Sequence, residues 1–384
     1  MSSPADPLRP APRASSRLHP RPRVSRRSRS RRRDQRAGAT RRLRLGRALL
    51  AAALLFTVAN TGLEWANRRE FPTTTTAGAT AADPVTAGYF PHTYWVFFPG
   101  FGIDFCPDVE RALRPVTRES GQSFCVAPSP VALDAHEIAA AVRARVTAGR
   151  AQWSDPQAPI TLYLYGISMG GMIAYDVARV LDGSDGIAVK AVVFDSSPAG
   201  PESVRGVAQV AVRGGAAVQR SPDLPWGIPN PLKGGPLSRF AGHLAEDLVA
   251  DAQARRAPTL DAARFAWYKA NRVVSASAVN QLDYIAGFAA AGDAALRGPF
   301  YAYLGAADPE ADRTVDVTAA AAAYRRRIDP SPLDVRAIRG GTHASANTAT
   351  AAYTEALRGV VHDAHLLTRR DVDWLRENVL EWSG

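Results

Sequence analysis

The chain has 384 residues, 46% of them hydrophobic, enough to bury a sizeable core as one large domain or two ordinary ones. Its formal charge of +11 is unevenly spread: residues 1–47 hold 16 arginines against Asp6 and Asp34, which leaves about −3 for all that follows. The basic pI therefore belongs to a tail, which excludes a uniformly basic globular surface of the kind that grips nucleic acid.

That tail, residues 1–47, has almost no large apolar side chain between Leu18 and Leu43. It cannot offset its ordering entropy, and disorder is expected. Binding of a polyanion or anionic lipid, a solvated tail without a partner, and the cytoplasmic flank of a membrane segment are the three readings of it. The next residues favour the last. "ALLAAALLFTVANTGL", Ala48–Leu63, is uncharged for 16 residues. A spanning helix needs about 20. The run suffices if Glu64 and Trp65 sit at the interface and Arg47 snorkels, so the anchor is assigned to 48–66. Arginine on its N-terminal side orients the N-terminus inside, with the rest of the chain outside the cytoplasm. A cleaved signal sequence with Thr57-Val58-Ala59 before the cut is the main rival, and the protein would then be secreted. Residues 67–88, rich in Thr, Ala, Pro and Gly, read as a flexible spacer.

The domain proper is expected over 89–384. Tyr94–Phe98 reads as a buried strand, with no convincing strand between Tyr89 and Tyr94, and is followed by a short helix and a second strand, Ser123–Ala127. Leu133–Gly149 is amphipathic. Ile160, Leu162 and Leu164 alternate with polar or aromatic residues. After Gly166 the period changes: Met172, Ala174, Tyr175, Ala178 and Leu181 fall at helical spacing. Val189–Ser197 is the next strand. Strands alternating with helices imply a mostly parallel α/β sheet covered on both faces. The alternation stops over 198–296, where helical pieces and a Pro/Gly-rich link suggest an inserted cap. It resumes with the strand Pro299–Gly305, a helix, the strand Leu333–Gly340 and a last helix.

Gly166-Ile167-Ser168-Met169-Gly170 is G-x-S-x-G between a strand and a helix, the context that gives the motif meaning. Glycine is needed beside the serine because the turn is tight. A serine hydroxyl needs a base, and His343 in "RGGTHAS" follows the last strand. The base needs an orienting carboxylate after the strand Phe300–Leu304: Asp308 has the usual distance from the strand end, Asp312 the better spacing to the following helix, and both stay open. Oxyanion donors are expected from Met169 N–H and from Phe101 or Gly102 in "FFPGFG". No histidine or cysteine approaches metal-ligand spacing, and no cofactor is expected.

The order "FFPGFG", "GISMGG", "LGAADPEAD", "GGTHAS" resembles the α/β-hydrolase superfamily over roughly residues 90–365. The resemblance implies nucleophile, acid and base on the ends of successive strands. The expected activity is hydrolysis of an acyl ester or thioester through an acyl-enzyme, of esterase, lipase or acyltransferase type. A catalytically silent hydrolase-like binding domain and a polyanion-binding tail are the alternatives. Cys106 and Cys125 fall just past the oxyanion loop and inside the neighbouring strand, outside the cytoplasm, where a disulfide is expected between them.

Overall fold

The computed structural model describes residues 45–63, 74–78, 84–101, 106–129, 132–223, 278–288 and 298–364, with a few single positions between them. The tail up to residue 44, Gly102 and most of the cap lie outside the described residues. The chain divides into two units between Leu55 and Phe56. Helix α1 runs Leu45–Leu63. Leu49, Leu50, Leu54, Leu55 and Val58 are all exposed on it, and by length and composition it is apolar enough to cross a membrane.

The elements that follow are β1 (Thr76–Ala77), α2 (Pro84–Tyr89), β2 (Thr93–Phe98), α3 (Cys106–Thr117), β3 (Gln122–Ala127), α4 (Ala135–Val146), β4 (Ile160–Ile167) and α5 (Gly170–Leu181). Next come β5 (Ile187–Asp195), α6 (Gly206–Arg220), α7 (Ala278–Phe288), β6 (Phe300–Ala306), α8 (Val317–Ile328), β7 (Leu333–Ile338) and α9 (Thr350–Asp363). The strands make one sheet in the order β1-β3-β2-β4-β5-β6-β7, parallel throughout except that β1 runs against β3.

Two features of the spacer reading are corrected. Thr76–Ala77 is a strand, ahead of the first one expected, and Pro84–Tyr89 is a helix. Composition hides both, because β1 is held by polar contacts. Gly78 N–H donates to Cys125 C=O at 2.8 Å, Thr75 N–H to Glu137 Oε1 at 2.7 Å, and Ser129 N–H to Thr75 Oγ1 at 3.0 Å.

Side chains on the two faces of each central strand enter different cores. On β4, Leu162 and Leu164 pack under α4, α5 and α8, while Tyr163, Tyr165 and Ile167 pack under α3 and α9. Each fully buried aliphatic or aromatic residue here contributes about 1.5–3 kcal/mol by burial. This double coverage is why the middle strands read as near-continuous apolar runs. α5 is buried nearly all round, so β4 and α5 are fixed at both ends of the turn that joins them. From β2 the chain steps outward to β3 and then crosses to β4 on the other side of β2. Such a reversal of strand order opens a crevice at the C-terminal strand ends, between β2 and β4.

Candidate active site

Ser168 stands at that crevice, in the turn between β4 and α5, with φ of 53°. The left-handed conformation is costly for a non-glycine residue and persists only where the surroundings over-determine it. Here they do. Ser168 N–H donates to Asp195 C=O at 2.8 Å, and Ser197 Oγ donates to Ser168 C=O at 2.5 Å. The turn is closed by contacts that leave no room for a β-carbon. One at Gly166 would strike the Gly170–Gly171 backbone; one at Gly170, the carbonyls of Phe98 and Pro99; one at Gly171, the Ser197 side chain.

His343 lies in the loop from β7 to α9. Its Nε2 is 2.9 Å from Ser168 Oγ, and its Nδ1 is 3.1 Å from both Oδ1 and Oδ2 of Asp312. The imidazole is 27% exposed and the Asp312 side chain fully buried, so of this pair it is the histidine that meets solvent. Burial raises the Asp312 carboxyl. The His343 hydrogen bond and charge outweigh it, with the Val315 and Thr314 N–H groups, and hold the group below its ordinary value. Of the two acids left open by spacing, the structure brings Asp312 to the histidine. Asp308 caps the short turn Pro309–Ala311, accepting from Glu310 N–H at 3.1 Å. That turn folds the loop back and carries the carboxylate of Asp312, not of Asp308, to the imidazole.

Met169 is buried at the start of α5 in helical conformation, which aims the first N–H groups of the helix at the crevice. The close approach of Gly170 to Phe98 and Pro99 sets this terminus against the end of β2, which leads into Phe101, half-buried in a turn. Gly102, the other donor expected there, lies outside the described residues. Cys106, at the start of α3, is joined by a disulfide to Cys125 on β3, with Cα atoms 6.2 Å apart.

Three residues at the site have no place in the motif reading. Asp195, fully buried at the end of β5, accepts from Tyr165 and Tyr353 hydroxyls, both at 2.8 Å. Burial pushes its carboxyl up to about 6, against those two hydrogen bonds and the attraction of His343, and with the repulsion of Asp312. Ser197 and Tyr353 complete the frame. An acidic residue ending an otherwise apolar strand, "VVFDSS", was the signal in the sequence for Asp195.

The mostly parallel sheet, its order, and the helices on both faces are those of the α/β-hydrolase fold. No family model matches the chain, and no curated protein matches it significantly. Among solved structures it is similar to a hydrolase from Pseudomonas aeruginosa, at 12% identity and a TM-score of 0.43, covering 76% of this chain and 92% of that one. MenH from S. aureus is similar at 11% identity and a TM-score of 0.44, with 76% and 99% covered. A monoglyceride lipase from Saccharomyces cerevisiae is similar at 10% identity and a TM-score of 0.44, with 71% and 87% covered.

Proposed function

We propose that this chain is a serine hydrolase that cleaves an acyl ester or thioester through an acyl-enzyme on Ser168, and that α1 tethers it outside the cytoplasmic membrane. The observation that carries the reading is the continuous hydrogen-bonded chain from Ser168 Oγ through His343 to Asp312. His343 Nε2 takes the hydroxyl proton as Oγ attacks the carbonyl carbon. The ring can accept that proton because Nδ1–H is held by Asp312, which stays ionised and stabilises the imidazolium. Negative charge on the carbonyl oxygen is met by Met169 N–H and by Phe101 or Gly102 N–H. Collapse expels the alcohol or thiol, which leaves with the proton from His343. Water, or another acceptor hydroxyl, then releases the acyl group by the reverse proton path.

The tether rests on the exposed apolar surface of α1 and on the arginine-rich residues before it. The lipid surface is thus a partner of the N-terminal helix, and no specific nucleic acid is expected.

A fluorophosphonate probe tests the nucleophile directly. It should label the full chain in detergent, at Ser168, and Ser168→Ala should abolish the label. Acyl esters of graded chain length then define the substrate. Ser168→Ala and His343→Ala should each lower turnover by several orders of magnitude, and the double variant by little more, because the two act as one unit. Unchanged turnover in either single variant overturns the mechanism.

A further inference from the structure

The nucleophile and the base arrive on elements far apart in the chain, and each lies in a turn of unfavourable backbone geometry. Ser168 has φ of 53°, and Ala344, next to His343, has φ of 43°. Something must hold the two turns in register, and one buried residue touches both. The Asp195 carbonyl accepts Ser168 N–H at 2.8 Å. Its Oδ1 accepts the Tyr353 hydroxyl at 2.8 Å, and that same hydroxyl accepts Ser345 N–H at 3.1 Å, two residues past His343. Ser345 in turn closes the histidine loop on itself, its Oγ accepting Thr342 N–H at 2.8 Å. Main chain on one side and side chain on the other thus run without a break from the nucleophile to the base loop.

We infer that Asp195 and Tyr353 are positioning residues: through them the end of β5 sets the distance between Ser168 and His343. The inference rests on the hydrolase reading for its kinetic consequence but not for the coupling itself. The second acceptor of Asp195 supplies an internal control. Oδ2 accepts the Tyr165 hydroxyl at 2.8 Å, and the Tyr165 ring on β4 packs against Phe97 on β2 at 5.0 Å between ring centres. Burial and the neighbouring Asp195 charge keep both phenols well above their ordinary range, so each remains a donor at every working pH. The charged or titratable groups that act on Asp195 are these two tyrosines, His343 and Asp312; on β6, Tyr303 also feels its charge. An ionised Asp195 adds a second buried anion near the imidazolium that forms during proton transfer, which favours the same step.

Tyr353→Phe and Tyr165→Phe each remove one hydroxyl from the same carboxylate and keep the ring. Only the first releases the histidine loop. A misplacement of about 1 Å costs roughly a hundredfold in rate, so Tyr353→Phe should lower both kcat and the rate constant for fluorophosphonate labelling at Ser168 by about ten- to a hundredfold, with KM unchanged. Tyr165→Phe should stay within about threefold of wild type. Rates are taken per folded molecule, below the unfolding transition of both variants, so that lost stability alone does not count. The histidine ring 15N signals of the full chain in detergent, assigned with His343→Gln, give a readout without turnover. The His343 signals should shift in Tyr353→Phe and not in Tyr165→Phe. Equal rate losses in the two variants, or a Tyr353→Phe protein with wild-type rates and unmoved His343 signals, overturn the inference. If wild-type Ser168 takes no label, the hydrolase reading fails by itself. The ring signals then decide the coupling alone: a shift confined to Tyr353→Phe supports it, and no shift overturns it.

Discussion

Two aspartates in one loop separate cleanly by what their carboxylates hold. Asp312 meets His343 at 3.1 Å, and Asp308 caps a short turn. Asp312→Asn should therefore lower turnover on the order of 10⁴-fold, because the amide favours the wrong imidazole tautomer. Asp308→Asn should leave turnover within about twofold and cost under about 1 kcal/mol, since asparagine caps nearly as well. Equal mild losses in both would place the orienting acid elsewhere. Spacing could not separate these residues, because a turn between them decides which one is carried inward. Asp195 makes a second, pH-dependent case. Its carboxyl is raised from 3.8 to about 6, mainly by burial. Between those values the folded chain holds a proton that the unfolded chain has released, so this group's contribution to stability falls as pH rises through the window. The full shift corresponds to roughly 3 kcal/mol. The difference in urea-unfolding free energy between wild type and Asp195→Asn should change by about that amount from pH 4 to pH 7, in the direction of a relatively weaker wild type. A flat difference would show that Asp195 ionises as easily in the folded chain as in the unfolded one.

At the scale of elements, the strand–turn–helix unit was legible because three separate constraints coincide in it. β4 alternates, α5 has helical spacing, and the residues around Ser168 are the glycines that a closed turn requires. The β1 strand was not legible. Two residues carry no period, and the hydrogen bonds that hold it come from Thr75, Gly78 and Glu137, whose partnership depends on tertiary structure. The frame behind the site was half legible: Asp195 stands out as an acid ending an apolar strand, but nothing in sequence ties it to Tyr353 on α9. The glycines allow a direct test of the steric argument. A β-carbon at Gly171 meets the Ser197 side chain, which itself holds Ser168, whereas one at Gly214 on α6 meets nothing. Gly171→Ala should cost about 1–3 kcal/mol by overpacking and also slow labelling of Ser168. Gly214→Ala should stabilise the fold by about 0.5–1 kcal/mol, the helical preference of alanine over glycine. Denaturant midpoints check both, and opposite signs are the required outcome.

For the molecule as a whole, the proposed tether and the disulfide bear on the same question from independent chemistry. In the proposed topology the apolar helix, preceded by dense arginine, keeps its N-terminus in the cytoplasm, which sends everything after it to the other side. A Cys106–Cys125 bridge belongs where thiols are not continuously reduced, which is the side the proposed topology gives it. The bridge closes a loop with a sequence separation of 19, worth about 3 kcal/mol in the chain-entropy model, and it anchors the start of α3 just past the β2 turn. Protease added to intact cells should therefore degrade the domain that carries Ser168 and spare the arginine-rich residues before α1. The unreduced, denatured chain should titrate no free thiol, and Cys106→Ser with Cys125→Ser should lower the unfolding free energy by about 3 kcal/mol. Resistance of the domain until the cells are opened, together with two titrating thiols, would put it in the cytoplasm and remove the bridge at once. The two readouts share no assumption about catalysis, so they stand whatever the substrate proves to be.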